Sequence, residues 1–212
     1  YTPIPRCKLI TFTSPKCACQ TISRINVHIF HHPFFHTYHT GVPTTDTTKL
    51  DRQKAKLDSV LSENKNYKKI ITTRNPLKRI LSCYNYMVLG RHRYLSLPGG
   101  KKWFKEPIEK ATGKNIFDVS LNDFIDYIYS TPNHLRDIHF STQSFLGEDI
   151  TFDRIIKLEN FIEDFEKVIK DFNIPLALPK QIQRNKTNYH KLNPNQLTSR
   201  TLDKIYDIYG LD

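Results

Sequence analysis

Two short segments concentrate the side chains that can hold an oxyanion. The first is Ser14-Pro-Lys-Cys-Ala-Cys-Gln-Thr21, between a run with strand character at residues 8–13 and a stretch where Ile22, Ile25 and Ile29 recur at helical spacing. A strand, loop and helix in that order turn loop N–H groups and the positive end of the helix toward one spot, which favours a phosphate or sulfate. Lys16 adds a full positive charge there and Thr21 a hydroxyl donor. The loop lacks the glycines of G-x-x-x-x-G-K-[ST], and its lysine comes before the turn, which speaks against an ordinary ATP or GTP hydrolase. The second segment repeats the order: Ile70-Ile-Thr-Thr73 reads as a strand, and Arg74-Asn75-Pro76 starts a helix with proline in its first turn, where the missing N–H costs nothing. Leu77, Ile80, Leu81, Tyr84 and Met87 then form one helical stripe.

The elements that must position these residues can be read from the hydrophobic pattern. A helix is expected over residues 51–61, and residues 36–48, rich in Thr and Pro, read as loop. Residues 90–117 read as an irregular basic excursion with Pro98-Gly99-Gly100 and Pro107. Ser120-Leu-Asn-Asp123 has the form of a capping box and predicts a helix through Tyr129. Residues 153–157 are a candidate strand. Phe161, Ile162, Phe165, Val168, Ile169 and Phe172 mark an amphipathic helix ended by Asn173-Ile-Pro175, and a last helix is expected over 195–209. Strands alternating with helices predict an α/β layered fold with a mainly parallel sheet. With no internal repeat or linker, the 212 residues are expected to form one domain.

Composition narrows the partners. Thirty-two Lys and Arg against 21 Asp and Glu give a formal charge of +11, which favours an anionic partner. No run approaches the apolar length of a membrane span. The four cysteines Cys7, Cys17, Cys19 and Cys83 lack the paired spacing of a zinc site and are expected as free thiols.

Pro15-Lys-Cys-Ala-Cys-Gln-Thr21 resembles the 5′-phosphosulfate loop of sulfotransferases that use PAPS (3′-phosphoadenosine 5′-phosphosulfate), especially the carbohydrate, Golgi-type branch and its bacterial relatives. Ile71-Thr-Thr-Arg-Asn-Pro-Leu-Lys-Arg-Ile-Leu-Ser-Cys-Tyr84 resembles that family's 3′-phosphate segment, R-[DN]-P-x-x-R-x-x-S-x-Y. Asp137-Ile-His-Phe-Ser-Thr-Gln143 is similar to its H-[WF]-x-P-Q segment, with Thr142 in place of the proline. Gln183-Arg-Asn-Lys-Thr-Asn188 resembles a late loop over the nucleotide, and Gln20 stands where the family often has Thr or Ser.

The resemblance implies a P-loop-NTPase-like fold, a central, mainly parallel sheet flanked by helices. It also implies sulfuryl transfer from PAPS to a hydroxyl or amine of a carbohydrate or small molecule, leaving PAP and requiring no metal. Lys16, Cys17, Ala18, Cys19, Gln20 and Thr21 would cradle the 5′ end, Arg74 and Ser82 the 3′-phosphate, and Arg184 and Lys186 the late loop. Lys16 suits the charge that grows on the bridging oxygen, and an arginine fork with a hydroxyl suits a terminal phosphate.

An acceptor hydroxyl benefits from a general base. His28, His31, His32, His36 and His39 crowd one region, and the family's base often lies between the two phosphate segments. His36 and His39 are therefore the candidates, with His139 a third. A metal reading of the same cluster meets Pro33, which interrupts the helix needed to align His28, His32, His36 and His39. Rival classes are a P-loop kinase, which would want a glycine loop and an acidic Mg²⁺ ligand, and a nucleic-acid module using Lys101-Lys-Trp-Phe-Lys105. No nucleic acid is expected as partner. The compartment is open between cytoplasm and the lumen of the secretory pathway.

Overall fold

Side by side, β2 (Leu9–Thr13) and β3 (Lys68–Thr73) form the parallel pair around which one half of the chain is built. The computed structural model describes residues 2–14, 16–17, 22, 25, 47–89, 104–137, 139–143, 149–175, 178 and 197–210. The chain divides into two compact units, the first made of Tyr1–Thr40, Asp46–Asn75 and Gly147–Lys186, the second of Gly41–Thr45, Pro76–Leu146 and Thr187–Asp212.

Among the described residues the first unit holds a four-stranded sheet in the order β1-β2-β3-β4. β1 (Thr2–Ile4) runs antiparallel to β2 through a short 3₁₀ turn at Pro5–Cys7, and β4 (Arg154–Lys157) runs parallel to β3. Side chains alternate across a strand, so each parallel strand feeds both faces. Leu9, Ile70 and Ile156 join Phe161, Phe165 and Val168 on one face. Ile10, Phe12 and Ile71 join Leu57, Val60, Leu61 and Phe152 on the other. Helices that cover the sheet include α1 (Thr47–Glu63), which precedes β3, and α5 (Phe161–Asp171), which comes after β4. Ile22 and Ile25, helical and buried three residues apart, belong to the cluster with Leu9, as the expected helix after the first loop requires.

Asp153 fastens the start of β3. Its carboxylate accepts the Lys69 N–H at 2.8 Å and the Lys68 ammonium at 2.9 Å. Partial burial acts to raise its pKa, but the Lys69 N–H, the Lys68 bond and the two lysine charges outweigh it and hold the carboxyl below its usual range.

Among its described residues the second unit is helical. The chain enters it at Pro76, and α2 (Pro76–Tyr84) continues into a π-helical turn at Asn85–Leu89. α3 (Glu106–Thr112), α4 (Leu121–Ser130) and α6 (Ser199–Tyr209) complete it among the described residues. Tyr84, Phe124 and Phe140 form a chain of ring contacts at 5.6 and 5.7 Å in a core that also takes in Ile80, Met87, Ile108, Ile125 and Ile208. The capping box on α4 is reciprocal: Ser120 accepts the Asp123 N–H, and Asp123 accepts the Ser120 N–H. Part of the expected irregular excursion is in fact helical. Pro107 sits in the first turn of α3, where proline is tolerated, while Phe104 and Ile108 are fully buried and Gly113 closes the helix at φ 68°. Residues 90–103 lie outside the described residues.

The α/β architecture with its mostly parallel sheet is the one expected from the alternation of elements. Two measurements check the packing. In urea titrations, Phe124→Ala, which empties a fully buried ring site, is expected to cost about 3–5 kcal/mol, and Ser120→Ala about 1 kcal/mol for the lost cap. For Asp153, a lowered folded pKa means stability present above the unfolded carboxylate value and lost as pH falls through the folded one. Asp153→Asn should therefore be less stable than wild type at pH 7, with the gap closing in melts recorded below about pH 4.

Candidate functional site

After Thr13 the chain leaves the sheet through a tight turn. The Cys17 N–H bonds the Ser14 carbonyl at 3.0 Å, and Lys16 has φ 66°. A positive φ at the third residue of such a turn is a position that favours glycine or asparagine. A side chain there costs about 1–2 kcal/mol, so Lys16 sits in the turn against a local penalty. Ser14 and Cys17 are buried while Lys16 is half-exposed, so the turn is anchored at both ends with Lys16 between them.

β3 runs one residue past the pairing of Thr72 with Thr13, and Arg74 comes directly after it. The Arg74 guanidinium donates from Nη1 to the Lys16 carbonyl at 3.2 Å. The next N–H, of Asn75, bonds Glu159 Oε1 at 3.2 Å, which ties the strand outlet to the segment after β4. Two cationic residues that are far apart in sequence thus meet at the carboxyl ends of neighbouring parallel strands, the place where open α/β sheets bind ligands. Of the expected cradle, Lys16 and Cys17 are described; Ala18, Cys19, Gln20 and Thr21 lie outside the described residues, as do His28, His31, His32, His36, His39, Arg184 and Lys186. Ser82 stands half-buried on α2, in the second unit.

The second unit contains a feature the sequence did not reveal. The turn opened by Asp137 presents three successive carbonyl groups, and each is held by a different side chain. Cys83 Sγ donates to the His139 carbonyl at 2.7 Å, Tyr209 Oη to that of Phe140, and Arg79 Nη1 to that of Ser141 at 2.6 Å. From within the turn, Asp137 Oδ1 accepts the His139 N–H at 2.8 Å and faces His139 Nδ1 at 2.6 Å. Arg79 is therefore a structural arginine, with 2% of its surface exposed, although it lies in the segment that resembles a phosphate motif. Thr142 also acquires a local reason. Its N–H donates to Asn133 Oδ1 and its hydroxyl accepts from Asn133 Nδ2 at 2.9 Å, and a proline could do neither.

His139 is held beside a carboxylate, its Nδ1 2.6 Å from Asp137 Oδ1. That contact and the bond from the His139 N–H to the same oxygen fix the orientation of the imidazole. Asp137 is buried and its Oδ2 has no partner among the described residues. Burial and then the nearby Asp137 charge push the Tyr127 hydroxyl above its ordinary pKa. Among the described residues no group of three or more His, Cys, Asp or Glu could hold a metal, and no helix is long and apolar enough to cross a membrane. Cys7, Cys17 and Cys83 are free thiols.

The clamp on the 137–141 turn makes a stability prediction. Arg79→Ala strips a charged donor from a buried carbonyl and should cost about 2–3 kcal/mol in a denaturant titration. A loss within a few tenths of a kcal/mol would mean that the Ser141 carbonyl finds water instead.

Comparison with known proteins gives one result. A model of the Sulfotransferase family matches residues 2–212, essentially the whole chain and both compact units. No curated protein and no solved structure matches it. A match of that extent, on a chain with this α/β sheet, shows that the protein belongs to the sulfotransferase family, whose members transfer sulfuryl groups.

Proposed function

We propose that the protein takes its sulfuryl group from PAPS and passes it in line to a hydroxyl or amine of a carbohydrate or small-molecule acceptor. The observation that carries this reading is the meeting of Lys16 and Arg74 at adjacent strand ends, since each comes from a segment that resembles one end of a PAPS site. The residues suit a donor that is anionic at both ends and supplies an activated sulfuryl group. Lys16 would neutralise negative charge developing at the 5′ end as the bond to sulfur breaks. Arg74 would hold the 3′-phosphate through its fork. Ser82, Arg184 and Lys186, and the remaining loop residues Cys17, Ala18, Cys19, Gln20 and Thr21, are carried to the donor by the likeness of their segments.

For the proton of the acceptor, His36 and His39 are proposed on the same likeness, with His139 supported by its bond to Asp137. No metal has a part in this scheme. Because the family match runs through both compact units, they are read as one sulfotransferase domain over 1–212. The +11 charge suits an anionic donor, and an acidic glycan as acceptor.

Calorimetric titration with PAP tests the reading, with AMP and ATP as controls. Wild type should bind PAP in the micromolar range and AMP at least about tenfold more weakly, the factor that matches about 1.4 kcal/mol for the 3′-phosphate. Lys16→Ala and Arg74→Ala should each weaken PAP binding by about tenfold or more. Equal affinity for PAP, AMP and ATP would remove PAPS as the donor.

A further inference from the structure

We propose that Arg74 is also a positioning residue for Lys16: its guanidinium, bonded to the Lys16 carbonyl, holds the turn that carries the lysine. This deepens the donor-site reading and rests on it for the ligand, though not for the structural readout.

The bond spans two strands. It joins the outlet of β3 to the outlet of β2, 58 residues apart in sequence, and its acceptor is the carbonyl of a residue held at φ 66°. A positive φ at a lysine persists only where neighbours over-determine it. The Cys17 N–H bond to Ser14 sets the turn from inside, and Arg74 bonds it from the next strand. A charged donor on a neutral carbonyl is the stronger class of hydrogen bond. A guanidinium has five N–H donors in a planar fork, so a carbonyl on one side is compatible with a phosphate on another. The Asn75 N–H bond to Glu159 fixes the backbone just after Arg74, so the arginine is itself held at its base.

The bond has two consequences. A group bound by Arg74 and one bound by Lys16 become energetically coupled, because both act on the same turn. Losing Arg74 must also weaken ligands that have nothing for it to contact. A phosphate-binding role alone predicts the opposite: Arg74→Ala would weaken only ligands that carry a 3′-phosphate.

The experiment uses the full chain, wild type and Arg74→Ala, with three probes: PAP, AMP and adenosine 5′-phosphosulfate, which keeps the 5′ phosphosulfate and lacks the 3′-phosphate. Amide hydrogen exchange at Cys17, monitored by NMR, reads the turn without any ligand. The Phe124 amide in the second unit serves as an internal control for folding. In Arg74→Ala, Cys17 exchange is expected to rise about tenfold with Phe124 unchanged, and affinity for adenosine 5′-phosphosulfate to fall about tenfold. PAP binding that falls while Cys17 exchange and adenosine 5′-phosphosulfate binding stay at wild-type values would overturn the proposal. If wild type fails to prefer PAP over AMP, the donor reading falls, and Cys17 exchange alone still decides whether Arg74 holds the turn. Should Arg74→Ala not fold, Arg74→Lys carries the same readouts, since a single ammonium keeps the charge and loses the fork.

Discussion

The register between β2 and β3 is the constraint on which the rest of the first unit depends. Thr13 pairs with Thr72, so the two parallel strands end at nearly the same level of the sheet. The residues beyond each strand are therefore delivered to the same edge, Lys16 from β2 and Arg74 from β3. A slip of one residue in β2 would turn Phe12 out of the cluster it shares with α1 and put a threonine in its place. The hydrophobic pattern that fixes the register thus also fixes the spacing of the two cations. The placing of the two cations and the packing of the sheet are set by one pairing, not by two separate devices.

The second unit answers a different problem. A short irregular segment must keep one shape although it has no ladder of its own. Here Asp137 satisfies N–H groups from inside, and Arg79, Cys83 and Tyr209 take the outward carbonyls. The donors come from α2 and α6, so the turn inherits the rigidity of helices whose apolar faces are already committed to the core. His139 gains a fixed imidazole orientation from that arrangement.

Much of this was legible in the sequence where periodicity or a named local bond carries the signal. β2, β3 and β4, the stripe of α5 and the Ser120–Asp123 box all arise from side-chain types at set spacings. β1 was not legible, because three residues containing a proline show no alternation and the strand exists only by pairing with β2. α3 was hidden by Pro107, which reads as a breaker unless its place in the first turn is known. At the site, the likeness of two segments pointed to Lys16 and Arg74, but not to the bond between them. A backbone carbonyl acceptor leaves no mark on the residue that owns it. The same blindness concealed Arg79, whose partner is the main chain of Ser141.

The buried thiols have a use beyond packing. Cys17 lies fully buried in the first unit and Cys83 fully buried in the second, each out of reach of a water-borne alkylating reagent while its unit stays closed. Labelling of either sulfur can then proceed only through an opening, and its rate becomes a clock for that event. Cys7 sits nearer the surface, its thiol pushed above the ordinary range by burial despite the Arg6 charge, and supplies a reference that reports chemistry more than opening. The chain thus carries a native reporter in each half, and mass spectrometry of Cys7, Cys17 and Cys83 can say whether the halves breathe together or apart.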